Sequence, residues 1–160
     1  DCDADGRLVR LVGHMARSNP QFEEVRKAPR CCFLFQGPHG YISPRFVPDR
    51  NWGPTWNYAL VRVYTELEFR PDMNDVALAR LVEKLETGQA NAWAIDELGE
   101  RYTQLRQHII AFEARVLSVD ARFKLGQDER PEVLASILEK ADNPQLVAWM
   151  RRMNRHRLEA

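Results

Sequence analysis

Alternating apolar and polar positions mark out the predicted strands of this chain. The clearest pattern runs from Trp56 to Arg70, where the odd-numbered positions from Ala59 to Phe69 are apolar or Thr, while Arg62 and Glu66 lie on the other face. Such period-two alternation is typical of a half-buried strand. Shorter apolar or alternating runs predict further strands in RLVRLVGHM, RCCFLFQ and IIAFEARVLSVDARFKL.

Helix-start and helix-stop residues separate these strands. Ser18-Asn19-Pro20 predicts a cap followed by the short helix QFEEVRKA. Asn74 or Asp75 is expected to cap VALARLVEKLET, which ends at Gly88. Three more helices are predicted around Ile95 to Gln107, from Pro131 through Lys140, and from Asn143-Pro144 to Arg151 and Arg152.

The tract from Gly37 to Thr55 is rich in glycine and proline, and predicts a loop with a brief strand around Tyr41 to Ser43. The first residues, DCDADG, resemble the opening of a calcium loop, but Val12 stands where a bidentate Glu is required. A hairpin turn at Asp5-Gly6 is favoured instead. Because a hairpin needs a strand before its turn, we expect that this sequence lacks the first strands of its domain.

Composition and charge narrow the function classes. The 160 residues contain 23 Lys plus Arg and 23 Asp plus Glu, so no net field draws the protein to nucleic acid or membranes. The sequence has no apolar run long enough to cross a bilayer and no apparent leader, and a cytoplasmic protein of one domain, residues 1–160, is expected. Cys2, Cys31 and Cys32 lack metal-site spacing, and we interpret them as reduced, structural thiols.

GHMARSNPQ joins a strand end to a helix start, where backbone N–H groups favour a phosphate. Arg17 offers a planar guanidinium, Ser18 a hydroxyl and His14 a ring N–H, with Asn19 beside them. The alternative is that Ser18 and Asn19 only cap the helix while Arg17 is solvated.

YISPRF and GPTWNY form a second candidate cluster. Such a set could line a flat ligand, or it could be a loop held by prolines with aromatic rings in the core. Its polar and aromatic members are Ser43, Arg45, Thr55, Trp56, Asn57 and Tyr58.

Two weaker groups lie towards the C-terminus. Lys124 and Gln127 could reach a phosphate or a carbonyl, although a terminal lysine is more often solvated. RRMNRHR could touch DNA phosphates, although basic residues at a helix end also balance the helix dipole. The sequence contains no HExxH, GxGxxG or P-loop motif, no metal-site spacing and no nucleophile beside a base, so catalytic residues stay unknown.

In their order and spacing, GHMARSNPQ, HGYISPRF through PTWNYALVRVY, and IIAFEARVLSVDARFKLGQD resemble PaiB-type FMN-binding negative transcriptional regulators, a bacterial family. The match covers nearly the whole chain, while Phe46-Val47 and Gly126-Asp128 depart from the family pattern. The resemblance implies an α+β fold, an FMN-binding split β-barrel like that of pyridoxamine-phosphate-oxidase-like flavoproteins, with short peripheral helices and a helical C-terminus. It also implies FMN sites at the interface of a homodimer. The residues expected to bind FMN are His14, Arg17, Ser18, Asn19, Ser43, Arg45, Thr55, Trp56, Asn57, Lys124 and Gln127.

Three functions follow from that resemblance. The first is a flavin-binding negative transcriptional regulator, with DNA contact resting on the family label alone. The second is an FMN-dependent oxidoreductase acting on an unknown small substrate. The third is a binding module that has lost its cofactor. Trp52, Trp56 and Tyr58 are large rings in one loop region, and they support the expectation of a dimer interface.

Overall fold

A computed structural model describes residues 1–49 and 51–159 of the chain. The strands are β1 (Arg10–Ala16), β2 (Arg30–Ile42), β3 (Thr55–Phe69) and β4 (Ile109–Lys124). They form one sheet in the order β1-β4-β3-β2, and β1 pairs antiparallel with β4. The helices are α1 (Gln21–Lys27), α2 (Asn74–Glu86), α3 (Arg101–Gln107), α4 (Pro131–Lys140), α5 (Pro144–Met153) and α6 (Arg155–Leu158), and short 3-10 turns cover Pro44–Phe46, Pro71–Met73 and Ile95–Leu98.

The chain divides into two compact units, and three strands pass from one into the other. The first unit contains residues 1–33 and 63–119, and the second contains residues 34–62 and 120–160. In the first, Leu67, Phe112 and Ala114 form the core, with Phe33 and Met15 packed against them. The core of the second unit is larger, and its buried members are Ile42, Val47, Leu125, Val133, Leu134, Ile137, Leu138, Leu146 and Met150.

The alternation predicted for β3 is confirmed. Val63, Thr65 and Leu67 are buried, while Tyr64 and Glu66 between them are exposed. The hairpin turn before β1 is also confirmed, since Gly6 has a φ of 76° and Cys2 bridges Leu8 across the turn. Asp5 does not share the positive φ; its N–H instead donates to Asp3 Oδ1 over 3.0 Å.

The predicted loop after RCCFLFQ is wrong for residues 37–40, because β2 continues through them to Ile42. The brief strand expected from Tyr41 is the end of β2, although it stops before Ser43. β2 is an edge strand, where Pro38 is tolerated because an outward-facing position needs no N–H donor. Gly37 is required by close packing: a Cβ there would lie 3.1 Å from Cβ of Ala59 and 3.7 Å from the ring of Trp149. Glycine and proline therefore mark an edge strand here rather than a loop.

Two details of the predicted helices are corrected. The helix expected from Ile95 to Gln107 is broken at Gly99, whose φ of 52° and ψ of −132° suit glycine alone. Asn74 does not cap α2, because it already lies in the first turn. Its buried amide instead accepts from Ala111 N–H over 2.8 Å and donates to the carbonyls of Arg106 and Ile109.

Asp75 ties α2 to α3 within the first unit. Its carboxylate accepts from the Tyr102 hydroxyl and forms an ion pair with Arg106. The Tyr102 hydrogen bond, followed by that of Arg106, holds the pKa of Asp75 below its usual range. A single residue in the first turn of α2 thus connects α2 to α3.

Cys31 and Cys32 are neighbours in β2 and therefore point to opposite faces of the strand. Cys31 is half-buried beside the core of the first unit, and Cys32 is exposed. Burial raises the pKa of the Cys31 thiol. All three cysteines are unpaired, but only Cys31 has the partly buried position expected of a structural thiol, because Cys2 and Cys32 are exposed.

Candidate functional site

The corner after β1 holds two of the predicted phosphate contacts. Arg17 N–H donates to the His108 carbonyl over 2.8 Å, and Asn19 N–H donates to the Ala16 carbonyl over 3.0 Å. These bonds fix the backbone, while the side chains of Arg17 and Ser18 are exposed. Neither side chain makes a hydrogen bond within residues 1–49 and 51–159, so both retain their full capacity for a ligand.

Asn19 has a structural partner at the same corner. Its Oδ1 accepts from Gln21 N–H over 3.0 Å, which is a local turn that starts α1. Because α1 has seven residues, a phosphate here would depend on the Arg17 and Ser18 side chains more than on a helix dipole.

His14 faces a hollow of about 340 Å³ that α2 helps to form. Arg80 and Lys84 of α2 line the same hollow. Sequence reasoning missed these two cations, although their spacing of four residues places them on one helix face. Arg80 also forms an ion pair with Asp1, 3.3 Å away. Lys84 therefore has the least committed positive charge near His14.

In the second unit, Lys124 and Ser43 form hydrogen bonds with other residues that the sequence predicted as FMN contacts. Lys124 Nζ at the end of β4 donates to the Thr55 hydroxyl over 2.5 Å. Ser43 is buried, and its Oγ accepts from the Arg45 backbone N–H over 3.2 Å and from Arg45 Nε over 3.3 Å. The exposed guanidinium of Arg45 keeps its remaining N–H donors free for an anion.

Trp56 presents the most exposed aromatic surface among the predicted residues. Its side chain is 51% exposed and stacks on His39, with ring centroids 5.8 Å apart and planes 26° apart. His39 falls in the tract that was expected to be a loop, but it lies in β2 beside this ring. The pair forms a flat, exposed shelf in the second unit.

Three other residues of the predicted clusters have internal partners. Asn57 is 2% exposed, and its Nδ2 lies 3.6 Å from Met150 Sδ. Gln127 bonds the Leu125 N–H and the Phe123 carbonyl. Trp52 packs against the core of its unit and donates from Nε1 to Glu129 over 3.1 Å. Because strand neighbours face opposite ways, Trp56 and Asn57 do not present one surface.

The two units each supply their own candidate ligand contacts. In the first unit, Arg17 and Ser18 supply donors that suit a phosphate. In the second unit, the Trp56–His39 shelf supplies a flat aromatic surface and Arg45 supplies a cation. Asn57 and Gln127 supply packing and turn geometry. Within the described residues no group of three His, Cys, Asp or Glu side chains is placed to hold a metal ion, and no helix there has the length and apolar character of a membrane span.

Two comparisons of sequence bear on this arrangement. A family model described as "Putative FMN-binding domain" matches residues 2–118. The chain is also 29% identical over 135 residues to the protease synthase and sporulation protein PAI 2 of Bacillus subtilis (strain 168), with 83% of this chain and 65% of that protein aligned. The match thus spans less than two thirds of that relative's length.

Solved structures share the fold. One is the flavocytochrome Anf3 from Azotobacter vinelandii, with a TM-score of 0.53, 12% identity and coverage of 74% of this chain and 51% of that chain. Another is the FAD and heme binding protein from Mycobacterium smegmatis, with a TM-score of 0.52, 15% identity and coverage of 82% and 62%. The likeness confirms the predicted α+β split-barrel fold class.

Proposed function

This chain belongs to the family described as "Putative FMN-binding domain", and from that membership we propose that it is a PaiB-like flavoprotein that acts as a negative transcriptional regulator. FMN is the cofactor that the family assigns. Bound FMN would supply reversible redox chemistry, while the protein supplies position and electrostatics.

One observation supports the FMN contact more than any other. Arg17 and Ser18 extend exposed, uncommitted donors from a corner whose backbone is fixed by hydrogen bonds to His108 and Ala16. A fixed backbone lowers the entropy lost when those side chains engage a ligand. A guanidinium beside a hydroxyl also matches the charge and geometry of a phosphate monoester.

Replacing Arg17 by alanine tests this assignment. We expect R17A to weaken FMN binding by about 1.5–3 kcal/mol, the usual scale of a charged hydrogen bond. Riboflavin lacks the phosphate, so its affinity should be almost unchanged. Flavin-fluorescence titrations with both ligands provide the measurement, and R26A is the control, because Arg26 is an exposed arginine of the same unit, in α1.

Equal losses for FMN and riboflavin would overturn the phosphate assignment. A loss confined to FMN in Lys84→Ala, with R17A unaffected, would move the phosphate to the hollow beside His14. Either result is distinct from failure of FMN binding itself, which the absorbance spectrum of the wild-type protein reports.

The regulatory role is proposed over an FMN-dependent oxidoreductase. Its support is the Bacillus relative, the protease synthase and sporulation protein PAI 2, whose name refers to sporulation and not to a flavin-dependent reaction. An anaerobic assay with NADH or NADPH distinguishes the two. We expect the protein-bound flavin to be reduced no faster than free FMN, whereas saturable turnover with a nicotinamide donor would favour the oxidoreductase. Direct DNA contact and a cytoplasmic location stay predictions.

A further inference from the structure

The C-terminal helices of the second unit concentrate positive charge. From Pro144 to Leu158 the chain has four arginines and one histidine but no Asp or Glu, although the protein as a whole has formal charge zero. This segment also lies outside residues 2–118, the part matched by the FMN-binding family model. Its charge therefore needs an explanation separate from that match.

One of these arginines is structural. Arg157 donates to the carbonyls of Gly126, Gln127 and Glu129, and so holds the turn between β4 and α4. Arg151 is exposed, and its Nη2 donates a hydrogen bond to the Leu138 carbonyl over 3.3 Å. This much agrees with the view that basic residues at a helix end satisfy carbonyl groups.

Arg152 and Arg155 make no such hydrogen bond to a carbonyl of the described residues. Both are exposed, and neither makes a hydrogen bond or ion pair with the residues that the structure describes. Together with Arg151 they line a hollow of about 420 Å³, which Ala148, Leu158 and Glu159 complete. We call Arg151, Arg152 and Arg155 the arginine face. Among the described residues that line that hollow, Glu159 is the one with a carboxylate side chain.

An apolar groove adjoins the arginine face, and Arg152 lines both. The groove measures about 360 Å³, and its other lining residues are Phe123, Leu125, Trp149 and Met153. Trp149 is 40% exposed and is supported by Phe123, whose ring meets it edge-on at 6.2 Å. A supported aromatic ring thus stands three residues from an uncommitted guanidinium on one helix.

We propose that this surface binds single-stranded nucleic acid, with a base stacked on Trp149 and phosphates on Arg152 and Arg155. Proteins bind single strands in this way, through a positive groove that follows the backbone and aromatic rings that stack bases. Arginine suits the role because its planar fork matches a phosphate. The proposal does not rest on FMN binding.

Two other occupants fit the surface less well. A helix that lies in a membrane inserts its apolar face, but Leu146 and Met150 of α5 are 1% and 0% exposed in the protein core. Duplex DNA keeps its bases stacked inside, and would leave the Trp149 ring and its groove unused. A single strand uses both the ring and the charge.

The test is a fluorescence-anisotropy titration of the full chain with a labelled oligothymidylate of about 20 nucleotides. We expect binding with a salt slope, d log K/d log[salt], of about −0.7 for each phosphate neutralised. The variant R152Q/R155Q should lose at least tenfold in affinity and show a shallower slope, because it neutralises two fewer phosphates. Trp149→Leu should lose about fivefold to a hundredfold with an unchanged slope, because stacking is not ionic.

The control is R26Q/R122Q, which removes the same charge from exposed arginines elsewhere, and circular dichroism checks that each variant is folded. Unchanged affinity in this control supports the proposal. Absent oligonucleotide binding, equal losses in test and control variants, or tighter binding of the duplex than of the single strand would overturn it. Binding to phosphatidylserine vesicles in place of the oligonucleotide would overturn it in favour of a membrane. Displacement of the oligonucleotide by FMN at a concentration matching the flavin affinity would show that the surface is a flavin site instead.

Discussion

Val63 is 1% exposed on the buried face of β3, and its replacement by aspartate tests how that strand faces. An unpaired carboxylate would be forced into a buried position, away from water, at a cost of about 3–5 kcal/mol. We expect V63D to lower the melting temperature by roughly 10 °C or more, or to prevent folding. Thermal melts followed by circular dichroism provide the measurement.

Two variants on the opposite face serve as controls. Arg62 pairs with Asp120 over 3.0 Å, with side chains 35% and 38% exposed, and a pair so exposed contributes about 0–1 kcal/mol. R62A should therefore melt close to the wild-type temperature. Tyr64→Asp places the same carboxylate at an exposed position and should also be tolerated. If V63D is as stable as these two, the facing assigned to β3 is wrong.

At the scale of single residues, the sequence indicates which side chains can form hydrogen bonds with a ligand. It does not indicate which of them remain exposed in the fold. Arg17, Ser18 and Arg45 are exposed as ligand contacts require. Asn57 and Gln127 have equally suitable side chains, yet both are engaged inside the fold. Hydrogen-bond capacity follows from residue type, whereas the partner that uses it follows from tertiary packing, and only the structure shows which donors remain.

Among the elements, strands with a strict alternation and helices with a proline start were predicted most closely. α4 begins at Pro131 and ends at Lys140 as expected, and α5 begins at Pro144 with Asn143 as its cap. In both, the local chemistry and the tertiary position agree.

Elements whose glycines and prolines serve packing were predicted less well. The strand predicted for this segment was shorter than β2, because Gly37 and Pro38 are ordinary loop signals. In the structure Gly37 is explained by its close approach to Ala59, and Pro38 by the edge position of β2. The break at Gly99 was missed because the flanking residues still follow a helical pattern. A glycine can thus mark a turn, a contact or a break, and local sequence does not distinguish these.

For the whole molecule, the expected assembly is a two-fold dimer. Trp52 no longer supports it, since that ring belongs to the core of the second unit. Trp56 still does, because it is 51% exposed, whereas Tyr58 is half-buried. Tyr41, which the expectation did not include, is 53% exposed, and large exposed rings mark interfaces. We propose that FMN tightens dimerisation, because a ligand bound at a shared site favours the assembled state by mass action.

Light scattering across a dilution series, with and without FMN, measures this. We expect a dimer at micromolar concentration that persists to lower concentration when FMN is present. Trp56→Arg should shift the series towards monomer, and Trp93→Arg, at another exposed tryptophan, should not. A monomer in both conditions would overturn the interface, together with any regulatory mechanism that depends on it.

The division of the chain into two units determines whether either unit can be separated from the other as an independent genetic module. The boundary between the two units falls inside β2, β3 and β4, so the polypeptide enters the second unit, returns to the first and enters the second again. No contiguous stretch encodes a complete unit, and neither can be moved by gene fusion or exon exchange as an independent module. The two cores are therefore inherited together, and each is open to change by point substitution rather than by shuffling of parts.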